Sequence, residues 1–397
     1  MTEVKDLFRA AFGNEPAYVV HAPGRLELLG NHTDYNDGLV MSVAVDREIS
    51  IASSPRNDGR IELVSSAFPT REIFPIDRLE KNPSAPWTNY IKGVLLCLRQ
   101  RGVHFTGFNA AIHGTIPLGA GMSSSAALEV AAALTLRQLF PFRLTDTGLA
   151  TPPARDRRGT LPSLAKEEKL LLAKICQTAE SHYVGVNCGL LDPISSLFGL
   201  ADHVIETDCL DHSVSHTPMA RDFEVVVGDS GVKHALSDGK YNELRAHSEA
   251  AARALQVRSL RFAAAADVEA NRHKLTEREY QCARHVTGEN QRVVFGERAL
   301  RQGEMEVFGQ YLFQSHESSR DDFHNSCGEL DILVEIAARH PGCLGARLTG
   351  GGFGGATLNL VRRGAVQEFA THMTREYQDR TGRWMEPLIC RIVNGAH

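Results

Sequence analysis

Apolar residues come in two kinds of spacing along this chain. Between residues 17 and 65 they form short runs, AYVVHAPGRLELLG, GLVMSVAVDREISIASS and RIELVSS. These are rich in β-branched or alternating apolar types and broken by Gly, Asn and Asp, which predicts strands joined by turns. NYIKGVLLCLRQR, Asn89 to Arg101, shifts to a helical period. After a strand-like FNAAIHGTI, the segment SSSAALEVAAALTLRQLF predicts a strong helix, dominated by Ala and Leu and started by serines as caps. Residues 144–163 are polar and interrupted by Pro and Gly, which predicts a long exposed loop between two helices. The helix KEEKLLLAKICQTAESHYVG follows, then a Gly/Cys turn and LDPISSLFGL. A strand FEVVVGDS from Phe223 opens a second half, with helices expected through 240–275 and 296–340 and final strands around TLNLVRRG and PLICRIV. No internal repeat is present. The halves are drawn as 1–220 and 221–397, although no flexible linker marks the boundary.

Composition acts mainly by exclusion. The 397 residues, 43% hydrophobic and 23% charged, suffice for one large or two closely packed α/β domains. The net charge of −5 arises from 43 basic and 48 acidic residues spread along the chain without a basic stripe, which argues against a nucleic-acid partner. Eight cysteines without paired spacing read as reduced thiols. MTEVKDLFRAAFG is amphipathic and unlike a secretory signal, and no apolar run approaches the roughly 20 residues of a membrane span. A cytoplasmic protein is expected.

Four segments carry candidate chemistry. In PLGAGMSSSAALEV, Gly119, Ala120 and Gly121 run straight into a helix start. Free N–H groups and the positive end of the helix dipole make that junction an anion site, although Gly and Ser there also suit a plain turn and cap. The Walker pattern is absent. In LTGGGFGGATLNLV, Gly350, Gly352 and Gly355 satisfy G-x-G-x-x-G, but a strand follows where a dinucleotide fold needs a helix, so a tight hairpin turn is the better reading. GRLELLGNHTDYNDGLV crowds Arg25, Glu27, Asn31, His32, Asp34 and Tyr35 into one short stretch, suited to a polyhydroxylated ligand or to a solvated turn. In AESHYVGVNCGLLDPISSLFG, Glu180 and Asp192 are carboxylates in apolar surroundings, where a functional or paired role is favoured. Cys209, Asp211, His212 and His216 have zinc-ligand types but lack a second ligand pair.

Together, in this order, these segments resemble the sugar kinases of the GHMP superfamily, and within it the galactokinase family. GRLELLGNHTDYNDGLV is similar to that family's signature, PLGAGMSSSAALEVA to the superfamily's ATP motif and GARLTGGGFGGAT to its third glycine motif. WTNYIKGV, DSGVKHALSDGKY and SHESSRDDFHNSCGELD add to the likeness. The resemblance implies a two-lobed α+β fold with mixed sheets and an active site between the halves. It implies ATP as co-substrate, Mg²⁺ as cofactor and a galactose-like sugar as acceptor, in a monomer or weak homodimer. Asp192 would accept the proton of the sugar's C1 hydroxyl, with Arg25 between it and the transferred phosphate. Ser125 and Glu180 would hold the metal. Gly119, Ala120, Gly121, Met122, Ser123, Ser124 and Ser125, with Trp87, would bind ATP, and Asn31, His32, Asp34, Gly189 and Tyr241 would read the sugar.

The chain departs from the family pattern in three places. R-L-E-L-L-G-N-H stands where R-V-N-L-I-G-E-H is usual, so Glu and Asn are exchanged between positions 27 and 31. Four apart on an extended strand, the two face the same side and keep one carboxylate and one amide together. Asn31 then stands where a carboxylate would contact the sugar's 6-hydroxyl, which leaves open a kinase for N-acetylgalactosamine or galacturonate. Pro193 replaces a Gln after Asp192, and residues 144–163 are inserted. A non-catalytic sugar- and ATP-sensing regulator on the same scaffold is a further alternative, against which the intact Arg25, Asp192, Glu180 and SSSAA weigh.

Overall fold

A computed structural model of the chain describes residues 2–117, 119–153, 161–186, 188–232 and 237–397. It begins with helix α1 (Thr2–Phe12), strands β1 (Tyr18–Leu29), β2 (Leu39–Arg56), β3 (Arg60–Ser65) and β4 (Glu72–Pro75), helix α2 (Trp87–Gln100) and strand β5 (Gly107–Gly114). Helix α3 (Ser124–Leu139), a two-strand hairpin β6 (Arg143–Leu144) and β7 (Ala150–Thr151), and helices α4 (Lys166–Thr178) and α5 (Leu191–Phe198) follow. Strands β8 (His203–Asp208) and β9 (Ser213–Pro218) complete a seven-stranded mixed sheet ordered β4-β3-β5-β2-β8-β9, with β1 paired to β2. The 18-residue β2 makes this sheet possible, since it pairs along β1 and also with β5 at one end and β8 at the other.

The second half has its own antiparallel sheet, ordered β11-β12-β10-β13, from β10 (Phe223–Asp229), β11 (Cys343–Thr349), β12 (Ala356–Arg362) and β13 (Leu388–Cys390). Its helices are α6 (Ser237–Ala254), α7 (Ala265–Ala270), α8 (Glu277–Gln302), α9 (Met305–Ser318), α10 (Gly328–Ala338) and α11 (Val366–Thr381). The fold is thus the expected two-lobed α+β arrangement, and no described helix is long and apolar enough to cross a membrane. After β13 the chain returns to the first sheet. Ile392 bridges to Val45, and residues 21 and 397 exchange two backbone hydrogen bonds of 2.9 and 3.0 Å.

Several elements differ from the expectation. The 26-residue α8 fills 277–295, where no helix is expected, and the stretch expected as helices over 240–275 breaks after Ala254 into short turns and α7. The segment 296–340 divides into the end of α8, α9, a π turn at Ser319–Phe323 and α10. Helix α11 is also unforeseen, whereas β11 supplies the first strand of the expected glycine hairpin. Within 144–163, the short β6–β7 hairpin occupies part of the expected loop, and residues 154–160 lie outside the described residues.

Two backbone contacts fix how the site is framed. Helix α3 is buried from Ala126 to Arg137, a run of Ala, Leu and Val that also encloses Glu129, Thr135 and Arg137, and packs against β1. On the other side, α9 lies directly on β11: a Cβ on Gly309 would fall 2.1 Å from the Leu344 carbonyl oxygen, and one on Gly345 2.2 Å from the Gly309 carbonyl oxygen. Strand β11 leads straight into the glycine turn that follows Thr349, so this contact sets the turn's position. Gly309→Ala should therefore cost about 1–3 kcal/mol through overpacking, read as a lower urea midpoint with an unchanged slope.

Candidate active site

Strand β1 brings the first functional group into place. Its pairing with β2 slips between Pro23 and Gly24 and again between Glu27 and Leu29, so irregularities flank the segment that carries Arg25 and Glu27. Arg25 is 7% exposed. Its Nε donates to Asp192 Oδ1 at 2.8 Å and its NH1 to the Gly121 carbonyl at 2.5 Å. Asp192 lies in the first turn of α5, where the helix dipole favours a carboxylate, and its Oδ2 accepts from Ser123 Oγ at 2.5 Å. One guanidinium thus ties a half-buried carboxylate to the loop ahead of α3.

That loop is wound left-handed. Gly119, Gly121 and Ser123 have φ of 84°, 66° and 56°, and for serine this is a strained conformation. The winding precedes the N-terminus of α3, where Ser124 and Ser125 stand with the free N–H groups of a helix start. Ala120 and Met122 turn their side chains into the core, leaving only their backbone for a ligand. Gly121 and Gly350 meet: a Cβ on Gly350 would lie 3.4 Å from the Gly121 carbonyl. The two glycine-rich motifs, more than 200 residues apart, therefore close on one another, and Gly350 to Gly355 form the β11–β12 hairpin turn expected from the sequence.

Glu180 sits in a π-helical turn, Ala179–Val184, at the end of α4 and is 5% exposed. Burial, then the nearby Asp192, raise its pKa, while hydrogen bonds with Ser125 and Cys188 oppose the shift. A carboxylate and a hydroxyl, both hard oxygen donors, face one another here. Trp87, at the start of α2, is stacked on Phe68 with 5.7 Å between ring centroids; its indole N–H has no partner among the described residues.

On the other side of Arg25 and Asp192 lies a cavity of about 180 Å³, bounded by Asn31, His32, Asp34, Gly189 and Tyr241. Burial holds His32 neutral, with a pKa of about 4. Its Nε2 lies 3.1 Å from the Gly351 carbonyl, which can only accept, so Nε2 carries the proton and Nδ1 accepts from Tyr35 at 2.9 Å. Asp34 is pushed up to about 7 by burial, reinforced by Glu27 and Asp192. It packs on Gly189 so closely that a Cβ there would lie 2.1 Å from its Oδ2.

The floor of the cavity is a buried polar network. Asn31, 1% exposed, donates to Glu27 Oε1 and to the Gly350 carbonyl, each at 2.9 Å, and accepts from Asn325 at 2.9 Å. Arg347 on β11 is wholly buried and donates to Glu27 Oε1 at 3.3 Å and to the Leu28 carbonyl at 3.1 Å. The expected clustering of Glu27 with Asn31 is therefore present, but Asn31 has both donors committed to the protein.

Sequence reasoning missed the residues that hold this floor. From α8, Glu289 Oε2 accepts from the Gly30 and Asn31 N–H groups at 2.8 and 3.0 Å, His285 Nε2 donates to the Asn31 carbonyl, and Asn290 accepts from the Leu39 N–H. Burial would raise the Glu289 pKa, yet Arg292 at 2.6 Å and the surrounding donors pull it far below the usual range. The pattern Glu289-x-x-Arg292 inside a helix was the available signal. Cys209, Asp211, His212 and His216 form no metal site, since no such cluster exists among the described residues. His216 Nε2 instead donates to the Phe198 carbonyl at 2.7 Å, within an ordinary β8–β9 hairpin.

Family models match three stretches of the chain: a galactokinase galactose-binding signature at residues 6–55, the N-terminal domain of GHMP kinases at 89–152 and their C-terminal domain at 297–379. The chain is 39% identical to the galactokinase of Roseiflexus sp., over 99% of this chain and 96% of that one. It is 37% identical to the galactokinase of Homo sapiens, over 100% and 96%. The crystal structure of Lactococcus lactis galactokinase complexed with galactose superposes with a TM-score of 0.87 at 31% identity, covering 99% of this chain and 98% of that one.

The raised pKa of Asp34 has a consequence for stability. A carboxyl that resists ionisation when folded but ionises near 4 when unfolded stabilises the fold fully below pH 4 and loses that contribution as pH rises to about 7. Asp34→Asn should therefore gain stability relative to the unaltered protein between pH 4 and 7, with a constant gap above, measured by urea unfolding across that range.

Proposed function

The chain belongs to the galactokinase family, and from that premise we propose that it transfers the γ-phosphoryl group of ATP to the C1 hydroxyl of α-D-galactose. It is a sugar kinase, a phosphotransferase with an alcohol group as acceptor. The observation that carries the mechanism is the Arg25–Asp192 pair, which lies between the cavity and the loop ahead of α3.

Galactose occupies the cavity with its C1 hydroxyl toward Asp192, and the triphosphate lies along the loop at the start of α3. Asp192 accepts the hydroxyl proton as the sugar oxygen bonds to the γ-phosphorus and the bond from that phosphorus to the β-phosphate's bridging oxygen breaks, releasing ADP. Ser123 and Arg25, each on a separate Asp192 oxygen, fix the plane of the carboxylate so that the proton is taken without reorientation. Arg25 also neutralises charge developing on the transferred group. The N–H groups at the start of α3 cradle phosphate oxygens, with Gly119 and Gly121 leaving room for them. Trp87 flanks the nucleotide, its buried indole N–H having no partner among the described residues.

The residues at Glu180 fit Mg²⁺. A buried carboxylate beside a serine hydroxyl offers hard oxygen ligands, and this ion is commonly held by one or two protein groups plus phosphates. Glu180 and Ser125 would hold it, and its charge would offset that of the triphosphate. On the sugar side, Asp34 and the Gly189 backbone read ring hydroxyls, with Tyr241 and His32 as neighbouring walls.

We also draw the halves of the chain as 1–220 and 221–397, supported by one sheet ending at Pro218 and the next starting at Phe223. Eight free cysteines and a nucleotide substrate suit the cytoplasm. Exposed large apolar side chains are scattered, which favours a monomer or weak homodimer.

ADP release from Mg·ATP against a sugar panel tests the reading: turnover on galactose supports it, and binding of galactose and ATP without turnover on any sugar would replace it with a sensing role. Asp192→Asn should lower kcat by about a hundred- to ten-thousandfold with little change in either KM, the range expected for loss of a general base. Glu180→Gln should raise the Mg²⁺ concentration needed for half-maximal rate more than it changes galactose KM.

A further inference from the structure

Arg25 and Glu27 stand two residues apart on β1, so their side chains leave the same face about 6.7 Å apart. Arg25 marks the reacting end of the cavity through its bond to Asp192, and Glu27 stands one strand repeat farther from it. A pyranose with C1 at Asp192 turns its opposite edge toward Glu27, and of the groups on that edge the exocyclic hydroxymethyl reaches farthest from C1. Two residues of the network beneath could meet this group, and they are not equivalent. Asn31 gives both amide hydrogens to Glu27 and Gly350 and its oxygen to Asn325. Glu27 also bounds the cavity, but only its Oε1 is engaged, by Asn31 and Arg347 together. Its Oε2 is neither bonded nor among the buried atoms without a partner.

From this geometry we infer that Glu27, and not Asn31, is the specificity residue for the sugar's C6 hydroxyl, accepting its hydrogen bond through Oε2. The inference rests on the galactose-kinase reading above. Asn31 is then a positioning residue: with Arg347 it clamps the far oxygen of Glu27 so that the near one is presented. The exchange of Glu and Asn between these positions leaves the pocket with a carboxylate supplied from the strand instead of the loop after it.

The test compares kcat/KM for galactose, 6-deoxygalactose and 4-deoxygalactose. Turnover of galactose by the unaltered protein establishes the parent reading independently. Glu27→Gln should lower kcat/KM for galactose roughly tenfold to a hundredfold through KM, the usual worth of a hydrogen bond to a charged group. The value for 6-deoxygalactose should stay unchanged, so the preference between the two sugars collapses. Glu27→Asn and Asn31→Glu should each be impaired, and the double exchange should recover most of the loss. An equal fall on both sugars, a collapse seen only against 4-deoxygalactose, or an intact preference in Glu27→Gln overturns the assignment. The unaltered protein gives a check that needs no variant. A carboxylate at this end should accept 6-amino-6-deoxygalactose and discriminate against galacturonate, and efficient turnover of galacturonate contradicts it.

Discussion

A single buried guanidinium organises this protein. Arg25 must reach a carboxylate at the start of α5 and a carbonyl in the loop before α3 at the same time, and a cation so little exposed is tolerated only when such partners are in place. That demand explains much of the surrounding architecture. β1 has to be buried along nearly its whole length, and the glycine before Arg25 has to lie against the Met122 carbonyl, where a Cβ would come within 2.7 Å. The loop must wind left-handed to offer its carbonyl inward and its N–H groups outward, which glycine permits and Ser123 adopts only under strain.

The floor of the cavity uses the opposite balance of charge and burial. Glu289 is held ionised in the interior by Arg292 and by two backbone donors from the segment it anchors, while Asp34, buried beside Glu27 and Asp192, resists ionisation. His32 stays neutral and fixed in one tautomer between Tyr35 and Gly351. Equivalent side-chain types therefore carry different charges within one small volume, set by what each touches.

How much of this was legible in the sequence depends on whether a feature is local. The strands around Arg25, the α3 junction and the glycine hairpin announce themselves by spacing and by residues with special backbone freedom, and all three stand where the spacing puts them. Glu27 and Asn31 are expected side by side and they are bonded, but not as two positions of one strand: β1 ends at Leu29 and Asn31 reaches back to Glu27 from the turn that follows. What spacing could not show are the distant partners: the Gly350 carbonyl and the Asn325 amide arrive from some 300 residues away and take up a donor and the acceptor that Asn31 would otherwise offer a ligand. Helix α8 was unreadable for a related reason. Its buried positions include His285, Thr287 and Glu289, polar residues that a search for apolar periodicity passes over, and their burial makes sense only against a loop from the other half.

The return of residues 392–397 to the first sheet bears on the order of synthesis. The backbone edge beside His21 and Ala44, the strands that bear Arg25 and the loop after it, is closed by a segment that follows the whole second sheet in the chain. The half of the molecule made first therefore waits for the half made second before its hydrogen bonding is complete. A nascent chain stalled before residue 392 would carry every catalytic group and still hold an open edge next to the strand that positions them.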